Sequence, residues 1–453
     1  MSKNDPRITN GWAMYDWANS VYPLVITTTI FPTYFNAQAD VAAVAMDKGE
    51  RAVVEVFGLR FVGTSLLMYA ISAAFLIVAV VSPLLTALAD SSGRKKRFLR
   101  GFCWLGAASC AGLYFFTAET LPLAVLLYIS ACVGFAGSLV FYNSYLPDIA
   151  TEDRQDALSA RGFCFGYVGS ALLLIGCLGV VINAPKLGMD AAFASRISFV
   201  VTAAWWAGFA LIPFARLPRD SGPQASAVSA SGWLFNGYRQ LARIWREMSG
   251  YPVLQRFLLG YFFSCMGVQT VIYVSAPFAE EELGLGPTEI ILTVLILQFV
   301  GVAGAALFAR LSGRIGNIRA LCFAVAFWSG ICAAGYFVQA GWSFYTLASC
   351  IGFAMGGVQA LSRSTYSKLI PENTRDSASW FSFFDVTEKL AIVCGTAIFG
   401  LISQFSGTMR NSLLALMVVF VTGLVFLLKL RGKALLRVCV AAPLPPAVAS
   451  GER

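Results

Sequence analysis

Twelve stretches of mostly apolar residues divide the chain, at 11–36, 62–88, 98–117, 121–143, 162–184, 196–214, 252–278, 288–308, 320–338, 343–362, 379–403 and 410–429. Within them the apolar residues run on continuously and do not alternate, which speaks for helices and against a β-barrel. A hydrocarbon core of ~30 Å takes roughly 20 residues in helical form, so each stretch predicts one crossing. The pattern predicts an all-α integral membrane protein of twelve transmembrane helices. The longest polar interruption, 215–251, splits them six and six. It opens on Asp220-Ser221-Gly222-Pro223-Gln224-Ala225-Ser226 and closes on an amphipathic segment, Trp233 to Met248, whose Arg239, Arg243 and Arg246 suit a membrane surface. The expected organisation is a first half over 1–214, a central loop over 215–251, a second half over 252–429 and a tail over 430–453.

Composition agrees with this picture. Of 453 residues, 58% are hydrophobic and 13% charged, about half the charge of a soluble chain. The net charge of +9 would suggest nucleic acid until its distribution is followed. If both termini are cytoplasmic, 25 of the 33 Lys and Arg fall on that side and 6 on the other, a positive-inside bias that accounts for the charge without a nucleic-acid partner. The first run is too long for a cleavable signal and is expected to act as an uncleaved anchor. Eleven scattered cysteines without a CxxC pair, and no histidine at all, leave no metal site or cofactor to expect. Proton coupling would have to use carboxylates.

The halves repeat. Ser92-Gly93-Arg94 recurs as Ser312-Gly313-Arg314, and Asp156-Ala157-Leu158-Ser159 as Asp376-Ser377-Ala378-Ser379, both at an offset of 220. Leu146-Pro147-Asp148 returns as Ile370-Pro371-Glu372 at 224. Three matches in one order indicate parallel repeats, as in transporters built from two six-helix halves.

Asp90-Ser91-Ser92-Gly93-Arg94-Lys95-Lys96 resembles the GxxxDRxGRR loop motif of the major facilitator superfamily, departing from it at Thr86 and Ser91. Trp12 to Ser20, with its YDWANS run, Gly137 to Asn143 with Leu146-Pro147-Asp148, and Gly356 to Arg363 resemble the autophagy-related vacuolar effluxer family and its bacterial relatives. The resemblance spans essentially the whole chain. It implies a major facilitator fold, alternating access, and a central cavity lined by the first, fourth, seventh and tenth helices. The fungal members are similar to amino-acid exporters of the vacuole, which would make the cargo a small polar solute.

Polar groups on those four helices are the candidate binding or coupling residues: Tyr15, Asp16 and Asn19; Tyr142 and Asn143; Gln269 and Tyr273; and Gln359. Asp16 either binds solute or proton or caps a helix end. The eleventh run adds Asp385, Glu388 and Lys389, spaced to share one face. Lys389 lies ~15 Å deep at 1.5 Å per residue and needs a carboxylate partner, for which Asp385, Glu388 and Asp16 are the candidates. The cluster reads either as a proton relay or solute site, or as a packing ion pair. The resemblance further implies gating pairs: Asp90, Gly93 and Arg94 with the start of the eleventh helix and Asp148, and Arg314 with Glu372.

No GxxxxGK[ST] loop is present for a primary pump, and no HExxH or GxSxG for a membrane enzyme. A secondary transporter or facilitator, working as a monomer among membrane lipid in a bacterial inner membrane, is the reading these observations favour. A drug or lipid exporter of the same fold and a non-transporting sensor are the alternatives.

Overall fold

The computed structural model describes residues 3–42, 53–56, 58–220, 233–339, 341–371, 376–406 and 409–430. The first crossing is assembled from α1 (Pro6–Asn19), a π-helical turn (Tyr22–Thr27) and α2 (Ile30–Ala42). It is followed by an antiparallel hairpin, β1 (Val53–Val56) with β2 (Leu59–Val62), paired Glu55 to Arg60. Then come α3 (Gly63–Ser92), α4 (Lys95–Gly112), α5 (Leu121–Ser144), the short α6 (Leu146–Ile149), α7 (Glu152–Ile182) and α8 (Ala191–Arg216). The connector holds α9 (Trp233–Met248). The second half runs α10 (Pro252–Leu283), α11 (Pro287–Ile315), α12 (Asn317–Phe337), α13 (Gly341–Leu369), α14 (Ser377–Ser406) and α15 (Met409–Leu428).

Nine of these helices, among the described residues, are long and apolar enough to cross a membrane unaided. The other three crossings fall short for visible reasons. The first is broken, α4 opens on Lys95, Lys96, Arg97 and Arg100, and α14 carries Asp385, Glu388 and Lys389 mid-helix. Side chains such as Leu76, Val80, Leu172, Leu211, Val418 and Val425 stand exposed on the outside of the bundle, as lipid-facing helices require.

The sequence pattern suggested one continuous first helix, but the structure interrupts it. Pro23 has no N–H to return to the previous turn, and the Thr28 N–H bonds to the Pro23 carbonyl at 3.1 Å, five residues back. The Thr28 and Thr29 hydroxyls then donate to the Leu24 carbonyl at 2.9 and 2.7 Å, satisfying backbone that the break exposes. The hairpin was also unforeseen: its eight paired residues lie between two apolar runs, and Gly58 at φ +77° turns the chain between the strands.

Close helix contacts rest on glycine. A Cβ on Gly304 would stand 2.1 Å from the Phe353 carbonyl oxygen and one on Gly356 2.2 Å from that of Gly301, so α11 and α13 touch backbone to backbone. Contacts of Asn4 with Ile149, Lys95 with Asp148, Lys96 with Asp220 and Arg243 with Asp376 gather the start of α1 and several basic connections at one end of the bundle, called the basic end below.

Candidate functional site

Between the halves lies a cavity of ≈ 280 Å³ lined from both. Its floor, toward the basic end, is a buried cross-half network centred on Arg363 of α13. Arg363 Nη1 meets Asp16 Oδ2 of α1 at 3.1 Å, with only 4% and 7% of the two side chains exposed. Tyr142 of α5 donates its hydroxyl to the same Asp16 oxygen at 2.8 Å. The remaining guanidinium donors reach Ser159 of α7, Nε to Oγ at 2.9 Å and Nη2 to the carbonyl at 2.7 Å. Nη1 also lies 3.4 Å from Asn143 Oδ1. Phe163, Trp12 and Tyr142 surround the cation, their ring centres 4.2, 4.8 and 5.5 Å from its Cζ. Such a guanidinium is held by charge, hydrogen bonds and π-faces at once.

Space for this network is made by Gly162. A Cβ there would fall 2.3 Å from Asp16 Oδ2 and 2.9 Å from Arg363 Nη2. Ser159 continues the seam by donating its hydroxyl to the Ala360 carbonyl at 2.8 Å.

The cavity wall carries the second charged cluster. Lys389 of α14 lies 3.2 Å from Asp385 Oδ1 and 3.6 Å from Glu388 Oε2. Gln269 of α10 donates to Glu388 Oε1 at 2.9 Å, and Phe75 of α3 faces the ammonium at 5.6 Å. Higher up, Tyr167 donates to Gln359 at 2.6 Å, and the lining continues through Pro23 and Thr27 to the exposed Thr28.

Of the residues singled out in the sequence, Asp16, Asn19, Asn143, Gln269, Tyr273, Gln359, Glu388 and Lys389 line the cavity. Tyr142 stands just beneath it, against Asp16. Two are elsewhere. Tyr15 faces the first-half core, packed on Tyr142 and Phe214, because it sits one residue round the helix from Asp16. Asp385 is buried behind Lys389. Asp16 is not the partner of Lys389, since Arg363 takes it. Arg363 stands one residue past the tenth apolar run, 343–362, yet α13 continues to Leu369 and keeps it inside the helix.

At the basic end the halves are laced together. Asp90 of α3 accepts the Ala378 and Ser379 N–H groups at 3.3 and 2.7 Å and the Ser379 hydroxyl at 2.7 Å, capping the first turn of α14 from the other half. Gly93 ends α3 at φ +60°, with the Gly93 and Arg94 N–H groups returning to Asp90 and Ala89 carbonyls. The cation that meets Asp148 is Lys95, at 2.8 Å, and it also donates to Ser377 at 2.6 Å. Arg94, assigned that role by its motif position, points to solvent. In the second half Arg314 is exposed, and Glu372 lies outside the described residues. The corresponding lacing there is built on Asp156 of α7, which accepts from Ser312 at 3.0 Å, Asn317 at 2.6 Å and Lys368 at 2.8 Å. Its repeat mate Asp376, which precedes α14, pairs with Arg243 of α9.

Comparison with known proteins follows the same architecture. The family described as "Vacuole effluxer Atg22 like" matches residues 4–433. The MFS-type transporter YxiO of Bacillus subtilis (strain 168) is 30% identical over 429 residues, covering 94% of this chain and 95% of that protein. Autophagy-related protein 22 of Yarrowia lipolytica (strain CLIB 122 / E 150) is 24% identical, over 82% of this chain and 76% of its own. Among solved structures, the human organic anion transporter MFSD10 (TETRAN) superposes with a TM-score of 0.70 at 13% identity, covering 94% of this chain and 100% of that one. The major facilitator superfamily transporter FucP in the outward conformation gives 0.66 at 15%, over 94% and 99%.

Proposed function

Because this chain belongs to the Atg22-like vacuole effluxer family of major facilitator transporters, we propose that it moves a small polar solute, of amino-acid type, through the cavity by alternating access. The observation that carries this reading is that charged and amide side chains of both halves converge on one cavity within the membrane. Asn19, Asn143, Gln269, Gln298 and Gln359 offer neutral donors and acceptors, while Arg363 and Glu388 offer one charge of each sign. A solute bearing both a carboxylate and an ammonium can compete for that set, whereas a lipid or apolar drug brings nothing that pairs with it.

The gate follows from the same contacts. Apart from Tyr167–Gln359 within the cavity, the hydrogen bonds and ion pairs described between the halves lie at its floor or below it on the basic side, while the lining reaches the exposed Thr28 on the other. This is a state closed at the basic end. A solute carboxylate entering from the open end meets Arg363, whose one anionic partner among the described residues is Asp16. Competition for Arg363 loosens the floor, and rocking of the halves then exposes the solute to the basic side. On this reading that side, with both termini, is the cytoplasm, as the charge bias supports, and the membrane is the inner membrane of a bacterium. The transport unit is a single chain, a reading supported by a cavity lined by both of its halves.

A thermal-shift screen of the purified protein against amino acids, peptides, sugars and nucleosides tests the solute class. A zwitterionic amino acid should raise the melting temperature, since a ligand that binds only the native state stabilises it. A rise with sugars or nucleosides and none with amino acids would overturn the assignment.

A further inference from the structure

The charges facing the cavity do not balance. Lining it or paired with a lining residue are three carboxylates, Asp16, Asp385 and Glu388, against two cations, Arg363 and Lys389. The floor pair is complete, one carboxylate to one guanidinium, with the Tyr142 hydroxyl added. The surplus therefore belongs to the wall cluster, where a single ammonium is shared by two carboxylates.

The geometry of that cluster points the same way. Lys389 approaches Asp385 through Oδ1 only. Asp385 Oδ2 is buried with no hydrogen-bond partner among the described residues. Glu388 has one oxygen on Lys389 and the other on Gln269, and a quarter of its side chain is open to the cavity. Among the described residues no further cation pairs with either carboxylate. The titratable groups that face it from neighbouring elements are Tyr261, Cys265 and Tyr273 of α10 and Cys132 of α5, all of types that are neutral near pH 7. On α3 the facing group is the Phe75 ring, and Asp90 of that helix is engaged at Ser379. A net negative charge at this depth costs several kcal/mol, and a carboxylate so placed takes up a proton instead.

We propose that the Asp385–Glu388–Lys389 cluster of α14 carries one exchangeable proton, and that this proton, reaching the cavity through Glu388, is the coupling ion of transport. The assignment of coupling rests on the transport reading above; the proton itself does not. One O–H bond forms when a carboxylate of the pair accepts H⁺ and breaks when it is released to the cavity, with no change of oxidation state. The two carboxylates share the proton, so it belongs to the pair and not to either residue. Lys389 confines the site to a proton, because an ammonium between the two carboxylates excludes a metal cation from the same position.

Infrared titration of the purified full-length protein in lipid, with no solute present, reads this directly. The wild type should show the C=O stretch of a buried protonated carboxyl at neutral pH, shifted in D₂O and lost as the pH is raised. Asp385→Asn and Glu388→Gln should each abolish that band, since one carboxylate and Lys389 then neutralise each other, while Asp16→Asn should leave it in place. Lys389→Met should enlarge it. Absence of a titrating band in the wild type overturns the proposal whatever the variants do, and so does a band that survives both Asp385→Asn and Glu388→Gln. Solute flux with no such band would sink the proton site alone. A band without flux of any solute would sink the transport reading and leave the proton site standing.

Discussion

Arg363 reaches from α13 across the midplane between the halves and is satisfied there by six residues of α1, α5 and α7. Removing one partner of a buried ion pair typically costs about 3–5 kcal/mol, because the other charge is left stranded. Asp16→Asn should accordingly lower the melting temperature of the purified protein and abolish transport. The double variant Asp16→Asn/Arg363→Met should regain much of the melting temperature and none of the transport; equal recovery of both would make the pair a packing device. Gly162→Ala tests the same site by volume. A methyl group 2.3 Å from Asp16 Oδ2 must displace the carboxylate, so flux should fall severalfold, whereas Gly176→Ala on the same helix, with nothing within 4 Å, should be silent. Asp16 and Asn143 could be found in the sequence because polar residues inside apolar runs are costly and therefore purposeful. Arg363 could not, since Ser362, Arg363 and Ser364 look like the polar end of a helix until the opposite half is seen covering them.

At the scale of elements, the repeated Asp-Ser segments acquire a physical meaning. Asp156 and Asp376 head the fifth helix of each half, and each lies where a neighbouring element comes to meet it. The offset of 220 was readable as a repeat, but not what each copy touches, because the two copies differ: Asp156 gathers three side chains of the second half, Asp376 an arginine of α9. Asp90 supplies a helix cap across the interface, and capping side chains are worth about 1 kcal/mol. Asp90→Asn should therefore weaken the closed state modestly, seen as faster labelling of a cysteine at Ser379→Cys from the basic side with little change in melting temperature. Unchanged labelling would remove Asp90 from the gate. The break in the first crossing was hidden for a different reason. Pro23 and Thr27-Thr28-Thr29 are signals in the run, but a proline inside an apolar stretch is compatible with a mere kink, and the five-residue hydrogen bond from Thr28 is what discloses the turn.

For the whole molecule, twelve crossings in two halves were legible because hydrophobic length and charge placement are properties of the chain itself. The cavity was legible only in outline, since the resemblance implied four lining helices and the structure adds α3, α7, α11 and α14, which supply Phe75, Tyr167, Gln298, Glu388 and Lys389. The account's central claim is that solute crosses by rocking of the halves about a cavity whose basic end is held shut by the contacts seen here. Its most direct test is flux of radiolabelled amino acids into proteoliposomes by a variant with cysteines at Lys95→Cys and Ser377→Cys, before and after bridging with a short, cleavable thiol crosslinker. Those two side chains, one from each half, lie 2.6 Å apart. Flux should be present before bridging, stop when the halves are tied and return on cleavage, with the wild type carried alongside as the control for native cysteines. Flux that continues undiminished through the tied protein would contradict the account.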